Sequence, residues 1–416
     1  MGFYTFSRSG EDLVASNVSG APAFLSPNEL DRFRFIWSRT GSRLFVEALL
    51  GGILNLWRVE VDPATLAWRS AERLTTGGGS DVNTVLSHDE TWLAYVQQTF
   101  SFSLRSFPFD AAAGRLTGEG TAFSEEGTFA AEVDLSRDGN AAVYNVFRPG
   151  RDYGEIWVHH FDTNQKQLLV PNGTTPRWVP GSTSIVYSKW RNDGESTPAW
   201  RSTLMRREPN GTELQLSPWW KVSGQLQPSG GPFGDEHTML VSAYAIEPDA
   251  TPLWLWSLEG SREKPEKVVI NRPRTEIWQP QLSPDGRWLA FVPAAVGHPG
   301  HAHVAVARME GTPIAEWTPR VVPTLSNSDK PRWAPDGRTL YFLTSRGGFY
   351  NLAGIRFDPD RGIAVGQPFD VTHFTSQSLI VNPFMPRAEI GIAAHRAVLP
   401  MMSSTGSIWM LDNVDK

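Results

Sequence analysis

The stretch Ser283-Pro284-Asp285-Gly286-Arg287-Trp288-Leu289-Ala290-Phe291 joins a turn signal to a strand signal within nine residues. Proline presets its φ, Asp bonds its own backbone and Gly accepts φ > 0, so Pro-Asp-Gly is a turn with a mechanism. Trp288 to Val292 then supplies the aromatic and β-branched residues that a buried, pleated strand selects. The same frame recurs as Ser38-Arg-Thr-Gly, Ser87-His-Asp-Glu, Ser136-Arg-Asp-Gly and Ala334-Pro-Asp-Gly, each followed by an apolar strand. Decayed copies begin at Val179 and Phe233, and a shorter one spans Ala393 to Met401. The seven anchors, the two decayed ones included, fall at 38, 87, 136, 179, 233, 283 and 334 and stand 43 to 54 residues apart.

A period of this length, with several short strands per copy, is the signature of propeller blades. After each anchor strand come an aromatic-rich strand, such as Asn55-Leu-Trp-Arg-Val or Glu155-Ile-Trp-Val, a turn such as Val61-Asp-Pro, and an outer strand ending in Arg73-Leu-Thr or Arg115-Leu-Thr. The pattern predicts an all-β chain, an eight-bladed β-propeller of four-stranded blades forming one domain over residues 1–416. Blades are expected near 33–80, 81–129, 130–174, 175–222, 223–273, 274–325 and 326–380, with a closing blade at 386–416. That last copy holds three strands, so the N-terminal strand Asp12-Leu-Val-Ala-Ser-Asn-Val is expected to complete it and remove the exposed edge at the seam.

The anchor, the Leu-Trp strand and the Arg-Leu-Thr exit together resemble the WD-like repeat of the TolB-type β-propellers. The closing run, from Lys330-Pro-Arg-Trp through Ser345-Arg-Gly-Gly-Phe-Tyr-Asn-Leu to Gly406-Ser-Ile-Trp-Met-Leu-Asp-Asn-Val-Asp-Lys, is similar to propeller domains at the C-terminal end of bacterial signalling proteins. The resemblance covers the whole chain and implies a fold; the family has no shared catalytic motif to carry over.

Composition narrows the possibilities. Gly 37 and Pro 31 suit a chain with a turn every ten residues or so, and the 17 Trp are expected mainly to pack between blades. With no cysteine there is no disulfide, thiol nucleophile or Cys-ligated zinc. A net charge of −6 without a basic patch speaks against nucleic acid. The first ten residues lack the basic start and apolar core of a secretory signal, and no apolar run is long enough to span a bilayer. The expected compartment is the cytoplasm, with the periplasm as the alternative if a leader or upstream domain was removed.

Three sets of residues are candidates for function. Counting back four and two residues from the anchors reaches Asn83 and Val85, Glu132 and Asp134, Thr175 and Arg177, Gln279 and Gln281, and Lys330 and Arg332. Polar residues at one register of otherwise apolar innermost strands predict a hydrated central channel, and the mixture of signs predicts internal pairing. Trp190, Trp200, Trp219 and Trp220 flank one blade boundary, where they form either an aromatic platform for a sugar or peptide or the cap of two degraded blades. His298, His301 and His303 in Val-Gly-His-Pro-Gly-His-Ala-His are a candidate site for Zn or another transition metal, with one coordination position left for water.

The chain contains no Gly-x-Ser-x-Gly elbow, His-Glu-x-x-His, phosphate loop or calcium loop. Two function classes follow. The first is a binding or scaffold propeller for a peptide, glycan or protein, using its loop-rich face and channel mouth, and it is the one favoured. The second is a metal-dependent hydrolase of the phosphotriesterase or lactonase kind, or a lyase, working at the channel mouth.

Overall fold

The anchor turns that begin with serine share one set of hydrogen bonds. At Ser283 the hydroxyl donates to Asp285 Oδ1 (2.6 Å) and accepts from the Trp288 amide (2.9 Å), while Gly286 N–H donates to the Ser283 carbonyl (2.8 Å). At Ser136 the same three contacts run to Asp138, from Ala141 and from Gly139. The fourth turn position is left-handed in four copies, with φ 71° at Gly41, 74° at Gly139, 71° at Gly286 and 68° at Gly337, whereas in the copy that begins at Val179 it is the third, Gly181, at 70°. Glu90 takes the fourth position in the second copy at φ 62°.

The computed structural model describes residues 4–6, 13–15 and 35–414, apart from segments at 51–52, 66–67, 126–127, 149–153, 193–199, 222–225, 230–235, 244–250, 296–301, 311–312, 315, 319–320, 323–326, 377 and 384–387. The chain divides into two units, residues 1–100 with 404–416, and residues 101–403. In the first unit, Tyr4–Phe6 pairs with Leu13–Ala15 as a hairpin, and Phe35–Trp37, Arg43–Leu50, Ile53–Val61 and Trp68–Arg73 form a four-stranded antiparallel sheet. A second sheet pairs Ser80–Leu86 with residues 92–98, which in turn pair with residues 404–412. Phe45 and Leu56 of the first sheet pack on Leu93, Tyr95 and Val414 of the second.

The second unit is a ring of six antiparallel sheets. Their innermost strands are, in order, Phe129–Leu135, Thr174–Trp178, Leu226–Ser229, Thr275–Leu282, Asp329–Trp333 and Gly391–Ala393. Each innermost strand contacts the next, and Gly391–Ala393 contacts Phe129–Leu135, so the circle closes. We number the sheets one to six by these strands. Sheets one, three and five have four strands in chain order. Sheet two adds Trp220–Lys221 as a fifth, and sheet four shows three.

Six hydrophobic clusters hold the ring, one at each junction. Sheets one and two meet over Val143, Ile156, Ile185 and Tyr187; sheets two and three over Val186, Leu204, Val241 and Trp256. Leu240, Leu253, Leu289 and Phe291 join sheets three and four; Ala290, Val306, Leu340 and Ile355 join four and five. Sheet six meets sheet five through Phe109, Leu399, Tyr341 and Leu352, and sheet one through Leu104, Val398, Tyr144 and Val146. Burying each such side chain contributes about 1.5–3 kcal/mol relative to leaving it in water.

The closing sheet corrects the sequence expectation. Leu13–Ala15 pairs with Tyr4–Phe6 and not with the last copy. Sheet six instead takes Gly391–Ala393 and residues 396–403 from one end of the unit, and residues 101–110 with Arg115–Leu116 and Thr121–Ala122 from the other. Phe109 N–H donates to the His395 carbonyl and Ala111 N–H to that of Ala394, both at 3.1 Å. Tyr341 Oη donates to the Ala111 carbonyl (2.6 Å), fixing the turn beyond the closing strand.

The physical reason lies in two strands that run further than the repeat implies. Trp92–Asp110 is a single strand of 19 residues and Arg396–Asp412 one of 17. Between Gln97 and Phe102 the chain has no Gly, Pro, Asn or Asp, the residues that turn a backbone, so the loop expected there does not form. The third and fourth strands assigned to the second copy therefore belong to sheet six.

Two outcomes follow. Residues 101–403 expressed alone are expected to unfold in a single cooperative thermal transition with native near-UV circular dichroism, whereas residues 124–403, lacking the closing strands, are not. Gly286→Ala, with φ 71° and no atom near the added Cβ, is expected to lose about 1 kcal/mol in urea unfolding through backbone strain alone.

Candidate ligand face and charged channel

The channel register found in the sequence has a backbone cause. Glu132, Thr175, Gln279 and Lys330 each sit in a β-bulge and adopt φ between 50° and 56°. Two residues of the innermost strand then face one of its partner, which bends the strand and re-aims the side chains around it. Asn83 does the same in the first unit, with φ 56°. Each such non-glycine residue costs on the order of 1–3 kcal/mol, so the surrounding bonds must hold it in place.

Those bonds run between neighbouring sheets. Glu132 Oε2 accepts from Thr175 N–H at 2.9 Å, and Asp134 Oδ2 accepts from Trp178 N–H at 2.9 Å, so two carboxylates of sheet one satisfy backbone donors of sheet two. Lys330 is buried, with its ammonium 3.6 Å from Asp329.

Deeper in the channel, one carboxylate gathers the charge. Glu389 stands four residues before Ala393, the register position of sheet six, and is fully buried. Arg177 Nη2 of sheet two lies 3.3 Å from its Oε1, and Arg332 Nη2 of sheet five bonds its Oε2. Arg332 also donates to the carbonyls of Ile390 and Pro331 (both 2.8 Å), and Arg177 to that of Pro176 (2.8 Å). Burial opposes ionisation of Glu389, but Arg177, Arg332 and Lys330, with a hydrogen bond from Gln279, hold it below the usual carboxylate range. Burial raises Asp134 instead, because Arg177, the Trp178 amide and Arg332 offset it only in part. Burial likewise lowers Arg332.

Of the charged candidates, Asp134, Arg177 and Arg332 therefore converge, while Glu132 and Lys330 stand one bulge away. Glu389 was missed because its copy lacks the Pro-Asp-Gly turn. The count of four back from Ala393 was the signal that finds it.

The tryptophans lie at the end of sheet two where its innermost strand begins. Trp190 is half-buried, its indole N–H donating to Thr174 Oγ1 at 3.0 Å. Trp219 is half-buried, with the exposed Arg191 guanidinium 4.5 Å from its ring centroid. Trp220 packs edge-on against Trp254 (4.9 Å) and Trp256 (5.9 Å), which ties it to the core between sheets two and three. Trp200 begins the third strand of that sheet, and its side chain lies outside the described residues.

His298 and His301 also lie outside the described residues, and His303 is half-buried just before Ala305–Arg308. No group of three His, Asp or Glu side chains able to hold a metal occurs among the described residues. No helix among the described residues is long and apolar enough to cross a membrane.

No protein-family model and no curated protein matches the sequence. Among solved structures, the chain is similar to TolB from Acinetobacter baumannii, at 9% identity over 90% of this chain and 81% of that one, with a TM-score of 0.46. It is similar at 11% identity to the propeller domain of the Trilobed protease from Pyrococcus furiosus, over 80% and 92% of the two chains, with a TM-score of 0.40. An oligogalacturonate lyase in complex with manganese matches at 16% identity over 88% and 87%, TM-score 0.40. The fold is a β-propeller. Its own ring of sheets makes it one, and the three structures are what it is similar to.

Glu389→Gln removes the carboxylate that pairs with both buried guanidiniums, leaving only Asp134 beside them, and is expected to cost about 3–5 kcal/mol in urea unfolding at neutral pH. Because Glu389 titrates below its unfolded-state value, its contribution is full above that value and is lost as pH falls through the folded one. The variant is therefore expected to lose less stability than the parent over that acidic window.

Proposed function

We propose that this chain is a binding propeller of TolB-like type, with no chemistry of its own, that captures a peptide, glycan or protein segment on the loop-rich face of residues 101–403. One observation carries the reading: the exposed Arg191 guanidinium stands 4.5 Å over the half-buried Trp219 ring, a mixed aromatic and cationic pair at the end of sheet two that also carries Trp190 and Trp220. Such pairs bind through stacking and through hydrogen bonds from the guanidinium. The channel charges support the same reading, since Arg177 and Arg332 are both engaged by Glu389 and a ligand would have to break those pairs to use them. The repeat count supports eight blade units in the chain, six of them in residues 101–403.

The second reading is a metal-dependent hydrolase or lyase using His298, His301 and His303 with Zn or another transition metal, and one experiment separates the two. Protein purified without a His tag is screened on peptide and glycan arrays, then assayed for bound metal and for hydrolase turnover with and without chelator. Arg191→Ala with Trp219→Ala is expected to weaken any array hit at least about tenfold while leaving the melting temperature within a few degrees. Chelator-sensitive turnover that His301→Ala and His303→Ala abolish would overturn the binding reading.

A further inference from the structure

His159 occupies the junction between sheet one and the closing sheet. It is 2% exposed, stacked on Phe123 at 5.0 Å with 24° between the rings, and edge-on to Phe161 at 4.7 Å. Phe123 comes from the closing segment, and Tyr144 of sheet one meets it edge-on at 5.5 Å. Arg396, on the strand that closes the ring, lies 3.9 Å over the Phe161 ring and donates to the Gly139 carbonyl (2.8 Å) and to Ser106 Oγ (2.6 Å). The imidazole is thus one layer of an aromatic stack on which both ends of the 101–403 unit converge.

The stack suits a neutral ring alone. Nδ1 of His159 has no hydrogen-bond partner among the described residues. The charged groups around it are cationic or ionisable to cations: Lys166, its cross-strand neighbour on Gln165–Val170, His160 on its own strand, and Arg396 from the closing sheet. Glu125, whose charge reaches Tyr144, is paired with Arg148 at 2.8 Å. An imidazolium here would be buried, would have no counter-ion, and would face the positive charges of Lys166 and Arg396. Removing one charge from water without a partner is among the costliest events in a protein interior.

We propose that His159 is an acid-sensitive latch, and that its protonation loosens the junction between the closing sheet and sheet one while the other five junctions stay closed. Those five are held by the hydrophobic clusters described above and carry no buried histidine among the described residues. Burial, then Lys166, His160 and Arg396, lower the imidazole from its ordinary value to about 4. A base depressed on folding stabilises the closed form fully above its unfolded value of about 6.5, and that stability is lost as pH falls toward the folded value. Between pH 7 and pH 5 such a shift weakens closure by about 25-fold.

Hydrogen exchange of the full chain, corrected for intrinsic rates, tests the latch. Amides of residues 396–403 and 155–160 are expected to lose protection about 25-fold from pH 7 to pH 5, while those of Thr238–Ala243 in sheet three hold theirs. In His159→Phe, which keeps the stack and cannot be protonated, the seam amides are expected to keep their protection at pH 5. Equal loss in the variant, or loss of protection around the whole ring at once, would overturn the proposal. Should the variant fail to fold, nuclear magnetic resonance of the His159 Cε1–H in the parent decides. The midpoint of its titration must coincide with that of the seam protection, and separate midpoints would overturn the latch.

Discussion

A ring of sheets keeps no open seam when its last sheet is completed by the first segment of the chain that forms it, and in residues 101–403 this is done by pairing 101–110 with 396–403. An open ring would leave a sheet edge and two half-covered apolar clusters in water. Phe109, Leu399 and Met401 would lose sheet five, and Leu104 and Val398 would lose sheet one. Everything else depends on this closure, because the channel exists only while six innermost strands face a common axis.

The charged centre is closure expressed in electrostatics. Glu389 belongs to the sheet that closes last, and its partners Arg177 and Arg332 belong to sheets two and five. Without Glu389 the two guanidiniums have only Asp134 beside them; with it, one carboxylate engages both across the axis. A buried pair of this kind is weak evidence for added stability but a strong device for specifying one arrangement over others, because any misplaced strand strands a charge.

Much of this was legible in the sequence. The Ser-x-Asp-Gly anchors announced both the turn and the strand, because the hydrogen bonds from Ser283 and Asp285 are local and need no tertiary context. The polar register at Glu132, Thr175, Gln279 and Lys330 was visible as well, although its left-handed backbone was not, since Thr and Glu do not advertise positive φ as Gly does. The seam was misread because a repeat suggests that each copy folds on itself. The absence of a turn residue between Gln97 and Phe102 was the contrary signal, and it overrides the period. Glu389 sits at the same register but in a copy without the Pro-Asp-Gly turn, and its partners, 57 and more than 200 positions away, are not visible in any local spacing.

Closure is tested most directly by cross-linking in this cysteine-free chain. Under mild oxidation, Ala111→Cys with Ala394→Cys, whose backbones are joined by a 3.1 Å hydrogen bond, should form an intramolecular disulfide in nearly every folded molecule. Val14→Cys with Ala394→Cys, which reports closure by the N-terminal strand, should not. Coupling of the second pair in place of the first would show that the ring is closed by the N-terminal segment and that the seam described here is wrong.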